Sequence, residues 1–154
     1  MTSLKNRLNS DIMHEILSNL TPVEIFTFCK GDRRTCRDQN LQNSIARIKM
    51  EEFRTALINA FRTLDKQQVK FYLYFIGDQL INQNVKLQLK NQLAEPFSKS
   101  TIKFYVEFLG VDFITPEMLL DIFNNNYYSL LKAFIKLGLD PNTKSLALVG
   151  YAIG

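Results

Sequence analysis

Few side chains in this chain are of types that do chemistry. There are two cysteines, Cys29 and Cys36, and one histidine, His14, among 154 residues. A metal centre needs three or four ligands at recurring short spacings, and two cysteines seven apart with a single histidine elsewhere do not supply them. An acid–base site needs a second positioned group, and His14 lies within an amphipathic run without one. No glycine-rich phosphate loop or nucleophile elbow is present. Carboxylates such as Glu117 and Asp121 remain, and spacing does not tell which of them meet in space. The first residues carry Lys5 and Arg7 but no apolar run with a small-residue cleavage site, so no secretory leader is expected. Without one, Cys29 and Cys36 are expected to be reduced, structural thiols and not a disulfide framework. The expectation is a protein with no metal, no cofactor and no enzymatic activity.

The formal net charge is +4, concentrated in Lys30, Arg33, Arg34 and Arg37. Four cations in eight residues are enough to meet phosphates, but Asp32 and Asp38 interrupt them and no aromatic is interleaved. The run therefore reads as a solvated helix face, and no nucleic-acid partner is expected. The longest uncharged apolar stretch, residues 145–154, is well short of the roughly 18 residues that span a bilayer. No membrane partner is expected, and the chain reads as soluble and intracellular, cytoplasmic or nuclear.

The elements that position these residues read as helices throughout. Ile12, Ile16 and Leu20 follow one another at i+4 steps with Met13 and Leu17 beside them, a broad apolar stripe on one helix from Ser10 to Leu20. Thr21-Pro22-Val23-Glu24 then starts a second helix: Thr21 is the N-cap, Pro22 the first helical residue and Glu24 the partner in a capping box. That helix runs through Ile25, Phe26 and Phe28 and is expected to end at Gly31. A third, more polar helix is expected from about Arg33 to Ile48.

The run Leu8-Asn9-Ser10-Asp11-Ile12-Met13-His14-Glu15-Ile16-Leu17-Ser18-Asn19-Leu20-Thr21-Pro22-Val23-Glu24-Ile25 resembles an F-box. It carries a leucine, an acidic–aliphatic pair, Ile-Leu-Ser, a second leucine, then proline and another acidic–aliphatic pair. Phe28-Cys29-Lys30, Arg33-Arg34 and Asn40-Leu41 are similar to the family's basic second half, so the resemblance covers residues 8 to about 45. Asn9 stands where the family usually has proline, and no tryptophan occurs in the third helix. The resemblance implies a partner-binding surface made of Leu8, Ile12, Ile16, Leu17, Leu20, Pro22, Ile25 and Phe26.

From residue 49 onward the chain matches itself. Val69-Lys70-Phe71-Tyr72-Leu73-Tyr74-Phe75-Ile76-Gly77 aligns with Ile102-Lys103-Phe104-Tyr105-Val106-Glu107-Phe108-Leu109-Gly110 at an offset of 110 − 77 = 33, and a third copy ends at Gly138. Each copy follows another apolar helix, marked by Ala56, Leu57, Ala60 and Phe61, then Leu87, Leu89 and Leu93, then Met118, Leu119, Ile122 and Phe123. Such helix–turn–helix repeats stack into solenoids, and the recurring aromatics Phe71, Tyr72, Phe75, Phe104, Tyr105 and Phe108 are expected to be core. Asp65 with Gln68 and Thr115 with Pro116 mark further helix starts.

The period resembles the ankyrin repeat. Thr55-Ala56-Leu57-Ile58-Asn59-Ala60 is similar to its Thr-Pro-Leu-His-x-Ala opening, and Gly138-Leu139-Asp140-Pro141-Asn142 to its Gly-Ala-Asp-Val-Asn finger. The fold expected is all-α: a three-helix F-box-like segment over residues 1–48, then divergent ankyrin-like hairpins over 49–154. Those are three antiparallel helical pairs and a last unpaired helix over residues 145–154, which is expected to leave an exposed apolar patch, to make an oligomer contact, or to mark a shortened gene product.

Together the two resemblances imply an interaction adaptor, the substrate receptor of a cullin-RING (SCF-type) ubiquitin ligase. The F-box would dock a Skp-type adaptor and the repeats would hold a protein target. Combinations of this kind occur in large DNA viruses and some intracellular bacteria, which implies a host-directed role. The alternative is a non-catalytic ankyrin-like scaffold whose first three helices only cap the repeat stack.

Overall fold

The computed structural model describes residues 4–93 and 98–139, with side chains from Asp11 onward. Every regular element among the described residues is helical, so the chain is all-α. In chain order the helices are α1 (Leu4–Ser18), α2 (Pro22–Gly31), α3 (Arg33–Cys36), α4 (Gln39–Arg62), α5 (Lys66–Phe75), α6 (Gln83–Leu93), α7 (Lys99–Leu109), α8 (Pro116–Asn124) and α9 (Tyr128–Lys136). Short 3-10 turns lie at Asp78–Leu80 and Val111–Phe113. The chain divides into two compact units, Met1–Asn91 and Gln92–Gly154. The unpaired helix expected over residues 145–154 lies outside the described residues. No described helix is long and apolar enough to cross a membrane.

The α1–α2 corner forms by the local chemistry expected of it. Thr21 is extended, its hydroxyl accepts from the Glu24 amide at 3.2 Å, and its own amide donates to Glu24 Oε1 at 2.9 Å. The Thr21 amide, and after it the Thr21 hydroxyl, favour the ionised carboxylate and hold the Glu24 carboxyl below its ordinary value. The contribution of the box is therefore present above the ordinary Glu value and is lost as pH falls through the lowered one. Beyond Pro22 the helix buries Ile25, Phe26 and Cys29.

Helix α2 ends at Gly31 as expected, though without a left-handed turn there: among the described residues the glycines with positive φ are Gly77, Gly110 and Gly138. The chain turns at Asp32, which caps the end of α2 through its amide and the start of α3 through its carboxylate, bonded to the Thr35 amide at 3.1 Å. The single helix expected over residues 33–48 is broken. Asp38 restarts the chain by accepting from the Asn40 and Leu41 amides, so α3 is one turn long and α4 begins at Gln39. Buried Gln42 closes the joint by donating to the Cys36 carbonyl at 2.7 Å, which satisfies a polar group that burial would otherwise penalise.

Helix α4 buries Leu41, Ile45, Lys49, Phe53, Leu57 and Phe61, a ladder of i+4 steps. With 3.6 residues per turn such a row drifts around the helix by about 40° per step. The helix kinks midway, where Lys49 leaves helical geometry (φ −120°, ψ 16°). The kink falls where the F-box-like segment was expected to give way to the repeats. The aliphatic stem of Lys49 is buried and its ammonium reaches Glu52 at 3.2 Å. Helix α4 packs on α1, α2 and α5. Phe53, Tyr72 and Phe75 meet there, with ring centroids 5.6 and 5.9 Å apart. The hydroxyl of Tyr72 donates to Gln68, and burial raises its pKa to about 12. Arg54 on α4 holds the turn after α5, donating to the carbonyls of Gln79 (3.0 Å) and Leu80 (3.2 Å).

The 33-residue period is visible in the backbone of each unit taken separately. Asp65 caps α5 and Ser98 caps α7; Gly77 (φ +106°) and Gly110 (φ +85°) follow them, then a 3-10 turn each. Asn82 accepts from the Val85 amide at the start of α6, as Thr115 does from Met118 at the start of α8. Each of these landmarks recurs 33 positions on. The buried residues keep register too: Val69 with Ile102, Tyr72 with Tyr105, Leu80 with Phe113, Leu89 with Ile122. Tyr72, Phe75 and Tyr105 are core as expected, whereas Phe71, Phe104 and Phe108 are half-buried.

The links between the paired helices are also alike. After α4 the Asp65 amide reaches back to the Ala60 carbonyl with Leu64 left-handed, and after α8 the Tyr127 amide reaches Ile122 with Asn126 left-handed, the six-to-one bond of a Schellman turn. Asp65 caps α5 by accepting from the Gln68 amide, but with the Asp65 amide used this way Gln68 closes no reciprocal capping box. Its side chain instead donates to the Asp65 carboxylate at 2.9 Å. Helices α8 and α9 contact one another, and their unit is cored by Ile102, Val106, Leu119, Ile122, Leu130, Leu131 and Phe134. After Gly77 and Gly110 the segments that an ankyrin repeat would use as fingers are 3-10 turns.

The two kinds of glycine separate by substitution. No atom lies within 4 Å of a Cβ built on either Gly77 or Gly31, so only the backbone differs. Gly77, with φ +106° and ψ −178°, occupies a region reserved for glycine, and Gly77→Ala should cost about 1–3 kcal/mol. Gly31→Ala should be neutral or stabilise by up to about 1 kcal/mol, since it removes backbone freedom from a helix. Urea denaturation of the two variants checks the pair.

Candidate partner-binding surface

The eight residues expected to bind a partner divide in the structure. Leu8 lies on α1 among the residues whose side chains are not described. Leu17, Pro22, Ile25 and Phe26 are buried within the chain, and Leu20 is half-buried. Ile12 and Ile16 are exposed, at 51% and 40%. The division follows from helix geometry: α1 packs on α4, Leu17 faces inward, and Ile12 and Ile16, four residues apart, share another face.

Val23, which the expected set omits, is 48% exposed. With Pro22 it lines a shallow groove of about 360 Å³, together with Ala56 and Asn59 of α4 and its C-cap Thr63. The Thr21–Glu24 capping box and Pro22 fix the first turn of α2, on which Val23 sits. The i+4 spacing of Ile12 and Ile16 made the α1 stripe legible. Val23 has no such partner in sequence, since its groove comes from α4, more than thirty residues away.

The basic run lies on the same unit. Lys30, Arg33, Arg34 and Arg37 are exposed, as expected. The two cysteines are not thiols: Cys29 and Cys36 form a disulfide, with Cα atoms 5.7 Å apart. The expectation rested on the expected lack of a secretory leader, an argument blind to the turn at Asp32, which folds α3 back on α2 and brings the pair within bonding range. Asp32 and Asp38, which interrupt the run, direct their carboxylates to helix-cap amides, and neither forms an ion pair with a cation of the run among the described residues. The aromatics that the run lacks in sequence come from elsewhere: Phe26 lies below it, with the Lys30 ammonium 4.3 Å from the ring centroid, and Phe71 of α5 stands 5.4 Å from Phe26.

Among the described residues no group of three or more His, Cys, Asp or Glu side chains is placed to hold a metal ion. What the arrangement offers is contact surface, part apolar at the α1–α2 corner and part cationic and aromatic at α2, α3 and α5. Compared with known proteins, the chain matches no family model, no curated protein and no solved structure.

Proposed function

We propose that the chain is a protein–protein interaction adaptor that performs no chemistry, and that it is the substrate receptor of a cullin-RING ubiquitin ligase. In this reading the α1–α2 corner docks a Skp-type adaptor and the helical repeats hold a protein target. The mechanism is proximity: two sites on one chain raise the effective concentration of the target near the ubiquitin-charged enzyme. The observation that carries the reading is the corner itself. A capping box fixes the angle between α1 and α2 while Ile12, Ile16 and Val23 stay exposed, and exposed apolar residues held on a fixed scaffold are what an interface core needs.

Burial of Leu17, Pro22, Ile25 and Phe26 favours the second reading, a scaffold in which α1 and α2 cap the stack, since these residues are spent inside the chain. The exposed residues distinguish the two. If the corner docks the adaptor, Ile12→Asp and Val23→Asp should each weaken binding to purified Skp-type adaptor by about tenfold or more. Both variants should keep the circular dichroism of the parent, because neither side chain is in the core. Unchanged affinity in both folded variants would leave the capping role in its place.

A further inference from the structure

The cation-rimmed pocket between α2, α3 and α5 has the composition of a binding site. It encloses about 390 Å³, within the range of sites that take one large side chain or a small ligand. Its floor is Phe26 and Phe71, and the Cys29–Cys36 bond closes one wall. Tyr74 stands at the rim, 59% exposed. Lys30, Arg33 and Arg37 also line it, and no ion pair joins any of the three to a carboxylate among the described residues. No acidic residue lines the pocket.

We propose that this pocket docks an acidic peptide segment of a partner protein, one large apolar side chain entering against Phe26 and Phe71 and flanking carboxylates meeting Lys30, Arg33 and Arg37. Charge complementarity selects the occupant. Three uncompensated cations around an apolar floor attract an anion that also has an apolar part, and arginine and tyrosine are the residues in which interface energy concentrates. A nucleotide fits less well, because apart from the cations the Tyr74 hydroxyl is the one side-chain hydrogen-bonding group of the lining available to read a base or sugar. Single-stranded nucleic acid needs a basic track several nucleotides long, and this rim is three residues around one cavity. Guanidinium groups also suit carboxylates geometrically, since their paired N–H donors match the two oxygens.

The pocket is separate from the α1–α2 corner, so the two readings fail independently. The test selects a random dodecapeptide display library on the full chain and measures the winning peptides by fluorescence anisotropy. The expected consensus places Asp or Glu on both sides of Phe, Trp or Leu. Arg33→Gln/Arg37→Gln should weaken those peptides by about tenfold or more, and added salt should weaken them further. Tyr74→Ala, an exposed change that spares all three cations, should weaken them as well, while binding of a Skp-type adaptor stays as in the parent. The proposal is overturned if selection yields no peptide, if the consensus lacks acidic residues, or if both folded variants bind as the parent does. Displacement of the peptide by oligo-dT or by ATP at lower concentration than the peptide itself requires would also overturn it, and would reassign the pocket to phosphate-bearing ligands.

Discussion

Phe53→Ala should destabilise the chain by about 3–5 kcal/mol, the cost of deleting a fully buried aromatic whose surroundings cannot close over the gap. Phe53 has no exposed surface. It sits on α4 just beyond the kink, edge-on to Tyr72 and stacked on Phe75, so both rings lose a partner at once. Both neighbouring rings are themselves buried, which makes collapse of the cavity difficult, and aromatic pairs add to what area burial alone contributes. Ile48→Ala is the control: Ile48 is on the same helix but 55% exposed, and its removal should change stability by no more than about 0.5 kcal/mol. Urea denaturation followed by circular dichroism measures both. A Phe53→Ala loss under about 1 kcal/mol would mean that α4 and α5 do not pack as described.

Breaking the Cys29–Cys36 bond should cost about 2.5 kcal/mol, the loop-entropy value for a ring of this size. The ring spans seven positions and holds α3, a single turn of helix with few other constraints, against α2. Cys29→Ser/Cys36→Ser should lower the urea midpoint to that of the reduced parent, and reductant should not shift the variant further. Equal midpoints for oxidised and reduced parent would show that the Asp32 cap and the Gln42 bond to Cys36 already hold α3 in place. In a reducing compartment the bond would be open, so the intracellular setting of the adaptor proposal implies a less stable α3 and a looser wall beside Phe26.

The parts of the fold that were legible in the sequence are those whose causes are local. Thr21, Pro22 and Glu24 specify a corner within four residues, and the glycines at 77 and 110 mark helix ends that recur with the whole local pattern around them. Features that failed to show depend on residues the turns bring together. Asp38 looks like one more surface acid until its carboxylate is seen capping α4. The disulfide needs α3 to fold back on α2 at Asp32, and helix bounds at Gly31 and Arg33 place that turn without giving its direction. The candidate surface divides on the same line. The Ile12–Ile16 stripe follows from helical period alone, but the period does not say which apolar face meets α4. That is why Leu17, Pro22, Ile25 and Phe26 entered the expected set and proved to be buried. The basic pocket was out of reach altogether, because Phe71 and Tyr74 lie more than thirty residues beyond the cations they accompany.

Hydrogen exchange of the full chain with and without purified Skp-type adaptor tests the central proposal most directly, because it reports where on the chain a partner sits. The adaptor reading predicts slowed exchange confined to α1, the Thr21 corner and the first turns of α2, with α7 to α9 unchanged. No change anywhere, or protection confined to the repeats, would contradict it.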